Sequence, residues 1–98
     1  MPVYILIIHA RPANDNPKFS EVAGAYVNCF IENETFDLAE QIAIKFLELE
    51  YWIPIELEES YEVTEDNYVG DPEGLEVYKQ VLIDKEIYTF HTYVSDSE

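Results

Sequence analysis

"VYILIIH", residues 3 to 9, is the stretch on which the fold turns, because its apolar residues fall on both parities. A strand with one wet face alternates, whereas a nearly unbroken apolar run predicts a central strand covered on both faces. The rest of the chain must then supply its neighbours and its cover.

Outward from this strand comes "ARPANDNPKFSEVAG" (10 to 24), with two Pro, two Asn and an Asp, which reads as a loop long enough to carry function. It holds Arg11 and Lys18, two of only five basic residues. "AYVNCFIE" (25 to 32) alternates with period two, Ala25, Val27, Cys29 and Ile31 against Tyr26, Asn28 and Phe30, and predicts a second strand. Thr35 as N-cap, Asp37 in the first turn, and Leu38, Ala39, Ile42, Ala43, Phe46 and Leu49 at spacings of three and four predict a helix over 36 to 50.

"YWIPIELEESYEVTEDNY" (51 to 68) alternates again. Ile53, Ile55, Leu57, Glu59, Tyr61 and Val63 fall on one parity, and Pro54, Glu56, Glu58, Ser60 and Glu62 on the other. The expected result is a strand with its apolar row on the helices and an acidic row facing outward, and Pro54 belongs at its start or on an edge. Asp71 as N-cap and Pro72 at the first helical position start a second helix over about 72 to 84, with Leu75, Tyr78, Val81 and Leu82 inward. "DKE" turns the chain into a last strand, "IYTFHTYV" (87 to 94), and 94 to 98 reads as a disordered end of a single domain spanning 1 to 98.

The order β-β-α-β-α-β predicts an α+β two-layer sandwich: a four-stranded, mainly antiparallel sheet with two helices on one face. It resembles the ferredoxin-like group in topology alone, since a split β-α-β repeat places two strands between the helices where this chain has one. Such a likeness implies no function. With both helices on one face, Tyr4, Leu6, Ile8, Tyr26, Phe30, Tyr88 and Phe90 would leave the other face too apolar for a monomer. That predicts a homodimer through the sheet.

The formal charge is −16, from 21 acids and 5 bases, and between Lys45 and Lys79 there are eleven acids and no base. Such a field opposes nucleic acid and anionic membranes, whose binding requires Lys and Arg, and favours a basic protein. With a single cysteine and no signal-like start, a reducing cytoplasm is the expected setting.

No motif carries specific chemistry. Cys29 shares an apolar row and reads as core, because a reactive thiolate wants positive surroundings. His9 and His91 would be neighbours if the first and last strands paired. No metal spacing is present, "DNYVGDPEG" lacks the EF-hand order, the three glycines form no phosphate loop, and no cofactor or metal is expected. The first reading is a non-enzymatic binding module of the immunity, antitoxin or inhibitor type. Glu56, Glu58 and Glu62, with Tyr51, Trp52 and Tyr61 among them, would dock a basic partner. The alternative is a small dimeric enzyme or ligand-binding domain whose 10 to 24 loop, with His9, Arg11, Lys18 and His91, clamps an anionic ligand.

Overall fold

The computed structural model describes residues 1–94; apart from the exposed Val94, the expected tail of 94 to 98 lies outside them. The strands are β1 (Val3–Pro12), β2 (Gly24–Glu32), β3 (Trp52–Val63) and β4 (Glu86–Tyr93), and the helices are α1 (Phe36–Leu49) and α2 (Pro72–Asp84). They form one antiparallel sheet in the order β3-β1-β2-β4, an α+β arrangement in the β-β-α-β-α-β succession read from the sequence. The apolar β1 is central, and the acidic β3 is an edge.

Both caps are formed. Thr35 Oγ1 accepts from Leu38 N at 3.2 Å, and Asp71 Oδ1 accepts from Gly74 N at 3.0 Å, each satisfying an amide that the first helical turn leaves without a partner. Lys85 ends α2 in the left-handed region at φ 73°, with its amide on Val81 O.

The helices lie on opposite faces of the sheet, not on one. Register places Leu6, Cys29 and Tyr88 in one row and Ile8, Val27 and Phe90 in the next, and this side packs against Ala39, Ala43 and Leu47 of α1. The other parity carries Val3, Ile5, Phe30 and Ile87, and these pack with Val63 of β3 and with Tyr78 and Val81 of α2. The reason is geometric. β3 ends and β4 begins at the same end of the sheet on opposite edges, so α2 crosses that end and covers the apolar patch beneath it. The resemblance to the ferredoxin-like group does not extend to this placement.

The surplus apolar face that motivated a homodimer is therefore accounted for within the chain. Leu6 and Ile8 are buried on the α1 side, with Tyr4, Tyr88 and Phe90 packed beside them, and Phe30 lies beneath α2. Of the residues assigned to an open face, Tyr26 is the one that remains exposed.

In α1 the buried stripe is Ala39, Ala43 and Leu47, while Leu38 and Leu49 face outward. The small alanines let the helix approach the sheet closely, and Phe46 stacks on Tyr88 with centroids 3.6 Å apart. In α2, Val81 is buried and Leu82 exposed.

β3 departs from simple alternation at two points. Its register with β1 skips Glu58 between Ile7↔Glu59 and Ile8↔Leu57, and skips Ile55 between His9↔Glu56 and Ala10↔Pro54. Each extra residue reverses the facing of the strand beyond it. The expected apolar row is thus broken: Leu57 joins the α1 side, Glu59 and Tyr61 face the α2 side, and Ile55 is half exposed.

Candidate functional site

The predicted site residues fall into three places. Glu56, Glu58 and Glu62 do not share a face: Glu56 is registered with His9, Glu62 with Tyr4 on the α1 side, and Glu58 is the skipped residue of a bulge. What they share is the exposed edge strand, together with Glu59, whose carboxylate accepts from the hydroxyl of Tyr61. The acidic surface is therefore an edge with carboxylates on both sides.

Those carboxylates have little to balance them. Among the described residues the ion pairs are His9 Nδ1–Glu58 Oε2 at 3.9 Å and Lys85 Nζ–Glu32 Oε1 at 2.5 Å. Of the eleven acids between Lys45 and Lys79, only Glu58 faces a cationic or potentially cationic group within ion-pair distance among the described residues.

The second place is the half of the α2 side that α2 leaves open. His9, Tyr26 and His91 form one row across β1, β2 and β4, so the two histidines flank Tyr26 and are not neighbours as strand pairing of β1 with β4 would require. The His9 ring stacks on Tyr26 with centroids 4.6 Å apart and planes 13° from parallel, and its Nε2 lies 2.6 Å from Tyr93 Oη. The other ring nitrogen, Nδ1, lies on the side of Glu58, 3.9 Å from its Oε2. Tyr93 reaches His9 across Gly24, its partner in register. A Cβ at Gly24 would lie 2.7 Å from the Tyr93 ring carbon that bears the hydroxyl and 2.9 Å from the Ala10 carbonyl oxygen, so glycine is required by close approach. Arg11 is exposed on this same side, on β1 and not in the loop, and the loop shrinks to 13–23.

The third place is a cleft of about 450 Å³ on the α1 side, at the end of the sheet away from α2. Lys18, Glu50, Tyr51, Trp52, Phe90 and Thr92 line it. Lys18 is thus separated from His9, Arg11 and His91 by the thickness of the sheet. Trp52 starts β3, yet its ring centroid lies 5.5 Å from that of Phe90 on the opposite edge strand. The small Ala10 and Ala25 of β1 and β2, in the same buried cluster, leave the room for it to do so.

The loop wall of this cleft is fastened by Asn16, the one buried polar residue among those described. Its Nδ2 donates to Tyr51 O at 2.8 Å and its Oδ1 accepts from Lys18 N at 2.8 Å, while Ala13 N also donates to Tyr51 O. Tyr51 follows the end of α1 in the left-handed region at φ 67°. Glycine is usual there, and a bulky residue costs about 1 kcal/mol or more. Sequence reasoning found Lys18, Tyr51 and Trp52 but not their meeting, and it missed Tyr93, Tyr26, Asn16 and Phe90 as site residues. The signal available for Tyr93 was Gly24, whose lack of a side chain marks a close approach.

Cys29 is fully buried, with its thiol on Val27 O at 3.8 Å, and burial pushes its pKa up to about 12. Burial, with Glu86 accepting from its hydroxyl, raises Tyr88 strongly as well. Neither group has an ionised form to offer near neutral pH. Among the described residues no three His, Cys, Asp or Glu side chains converge on a metal-sized position, and no helix is long and apolar enough to cross a membrane. No known protein family, curated protein or solved structure matches the chain.

Proposed function

We propose that this protein is a non-enzymatic binding module that docks a basic protein partner along β3. The observation that carries this reading is the unbalanced charge of an exposed edge strand: Glu56, Glu58, Glu59 and Glu62 on twelve residues of β3, with His9 the nearest approach of a basic group. Self-repulsion among such carboxylates weakens the isolated fold, and a partner's Lys and Arg would relieve it while speeding encounter. Tyr61, half exposed beside Glu59, supplies the amphipathic ring that anchors protein interfaces. Immunity proteins, antitoxins and inhibitors of basic enzymes work by this logic, in a cytoplasmic setting here.

The test is a low-salt pull-down with the wild type and the Glu56→Gln, Glu58→Gln, Glu62→Gln triple variant. One specific basic partner should be retained by the wild type, released as NaCl is raised, and lost by the variant. Retention of the same proteins by both, independent of salt, sinks the proposal.

A second reading is favoured by the 2.6 Å contact of His9 with Tyr93 on the open half-face, flanked by His91 and Arg11. A small anionic ligand on this half-face would meet the positive charge of Arg11 and the polar edges of the joined imidazole and phenol. Shifts of the His9 ring resonances on adding small carboxylates and phosphates, abolished in Arg11→Gln, would support it. Unmoved resonances would remove it.

A further inference from the structure

We propose that the cleft at the end of α1 binds a free aromatic α-amino acid as its zwitterion, a function separate from partner docking on β3. Its volume of about 450 Å³ lies within the range of small-molecule sites, about 300–1,000 Å³. Trp52 and Phe90, 5.5 Å apart and inclined by 38°, form an apolar floor against which a third ring can pack edge-on or offset.

The charged lining selects the rest of the ligand. Lys18 and Glu50 are the two charged side chains of the wall, and they do not pair with each other. Lys18 is a counter-charge for a carboxylate, and Glu50 for an ammonium. Glu50 also caps α1 at its negative end, where the last turn carries no basic residue to offset the carbonyls. The cleft therefore favours a cation at its α1 rim and an anion at its loop rim, with an aromatic body between. A simple anion meets the repulsion of a chain of charge −16, and a simple cation is drawn to the whole surface and not to this cleft. A zwitterion with an aromatic side chain satisfies both rims without net charge.

The walls are held in place before any ligand arrives. Asn16 fixes the backbone of Lys18 on one side and of Tyr51 on the other, so the loop rim and the aromatic rim are tied through one buried amide. Preorganisation of this kind reduces the ordering cost of binding. Tyr51, in a backbone region where glycine is usual, lines the cleft with its ring exposed on the rim.

Trp52 is the only tryptophan in the chain, so its emission reports on the cleft directly. The probes are L-phenylalanine, phenethylamine, which lacks the carboxylate, and 3-phenylpropionate, which lacks the ammonium. L-phenylalanine should change Trp52 emission saturably, with half-saturation at or below about 1 mM, and each truncated probe should bind at least about tenfold more weakly. Lys18→Gln should bring L-phenylalanine down to the affinity of phenethylamine, and Glu50→Gln to that of 3-phenylpropionate. Tyr51→Gly, which removes the left-handed aromatic, should raise the melting temperature while weakening binding at least about threefold. No saturable response to L-phenylalanine up to about tenfold above that concentration, or equal affinity for all three probes, overturns the proposal. Glu56→Gln on β3 should leave binding unchanged, and a loss there would show that the response reports the acidic edge instead.

Discussion

Placing α2 on the face opposite α1 makes Val81 the test residue. It is the buried residue of α2 and packs with Val3 and Val63, whereas Leu82, next in sequence and larger, is exposed. Val81→Ala removes two methyl groups worth about 0.8 kcal/mol each on transfer. The vacated space, about 50 Å³ if nothing relaxes, adds up to about 1.2 kcal/mol at about 24 cal/mol per Å³. Alanine's better helix propensity returns about 0.5 kcal/mol, leaving a net loss of about 1.1–2.3 kcal/mol. For a domain of this size that lowers the melting temperature by about 4–18 °C, while Leu82→Ala should cost under about 0.5 kcal/mol. Double-mutant cycles by urea unfolding then identify the face. Val3→Ala with Val81→Ala should couple by about 0.5 kcal/mol or more, since both belong to the one buried cluster beneath α2, and Ile8→Val with Val81→Ala should add within about 0.5 kcal/mol, since the sheet separates them. Equal costs for Val81→Ala and Leu82→Ala, or coupling of Val81 to Ile8 in place of Val3, would refute the assignment of α2 to the second face.

Three further outcomes rest on the charge, the Gly24 crossing and the buried thiol. The melting temperature at pH 7 should rise with NaCl and with a few millimolar Mg²⁺ as the unbalanced carboxylates are screened; a melting temperature indifferent to both would mean the charges do not repel. Gly24→Ala should cost about 1–3 kcal/mol by overpacking against Tyr93 and the Ala10 carbonyl, with part recovered in Gly24→Ala/Tyr93→Ala; wild-type stability of the single variant in a calorimeter would show that Tyr93 does not cross Gly24. Cys29 holds its proton more tightly in the fold, with a pKa raised from 9.0 to about 12. The unfolded chain therefore ionises first, and the stabilising difference, complete below pH 9, is lost as pH rises toward 12. Relative to Cys29→Ala, the wild type should lose up to about 1.4 kcal/mol per pH unit in that window; parallel stability curves for the two proteins would contradict it.

Much of the architecture was legible because it is local. Thr35 and Asp71 announce helix starts through side chains that bond amides three residues on, and the period-two pattern of 25 to 32 needs no partner to be read. The face assignment needed one more step. Val3 and Ile5 make β1 apolar on both sides, and Phe30 and Ile87 extend that second patch across the sheet, so a cover was required there. Sequence reasoning assigned it to a second copy, because nothing in α2 alone tells which face its single buried valine meets. β3 defeated sequence reading for a different reason. Its letters alternate without a break, and a bulge exists only as a mismatch with the register of β1. For the site, Lys18, Tyr51 and Trp52 stood out by type, but Phe90 joins them only once β4 is known to lie beside β2.

The two skipped residues of β3 bear on how crowded copies of this chain treat one another. A twelve-residue edge strand, straight and apolar, would be a template for stacking into fibres. Here Ile55 and Glu58 interrupt the ladder, so an approaching strand finds no even run of amides and carbonyls. A second copy of the same strand would also bring its own glutamates against these. The long open border of the sheet is thus guarded twice, by an uneven ladder and by a row of like charges, against pairing with another strand like itself.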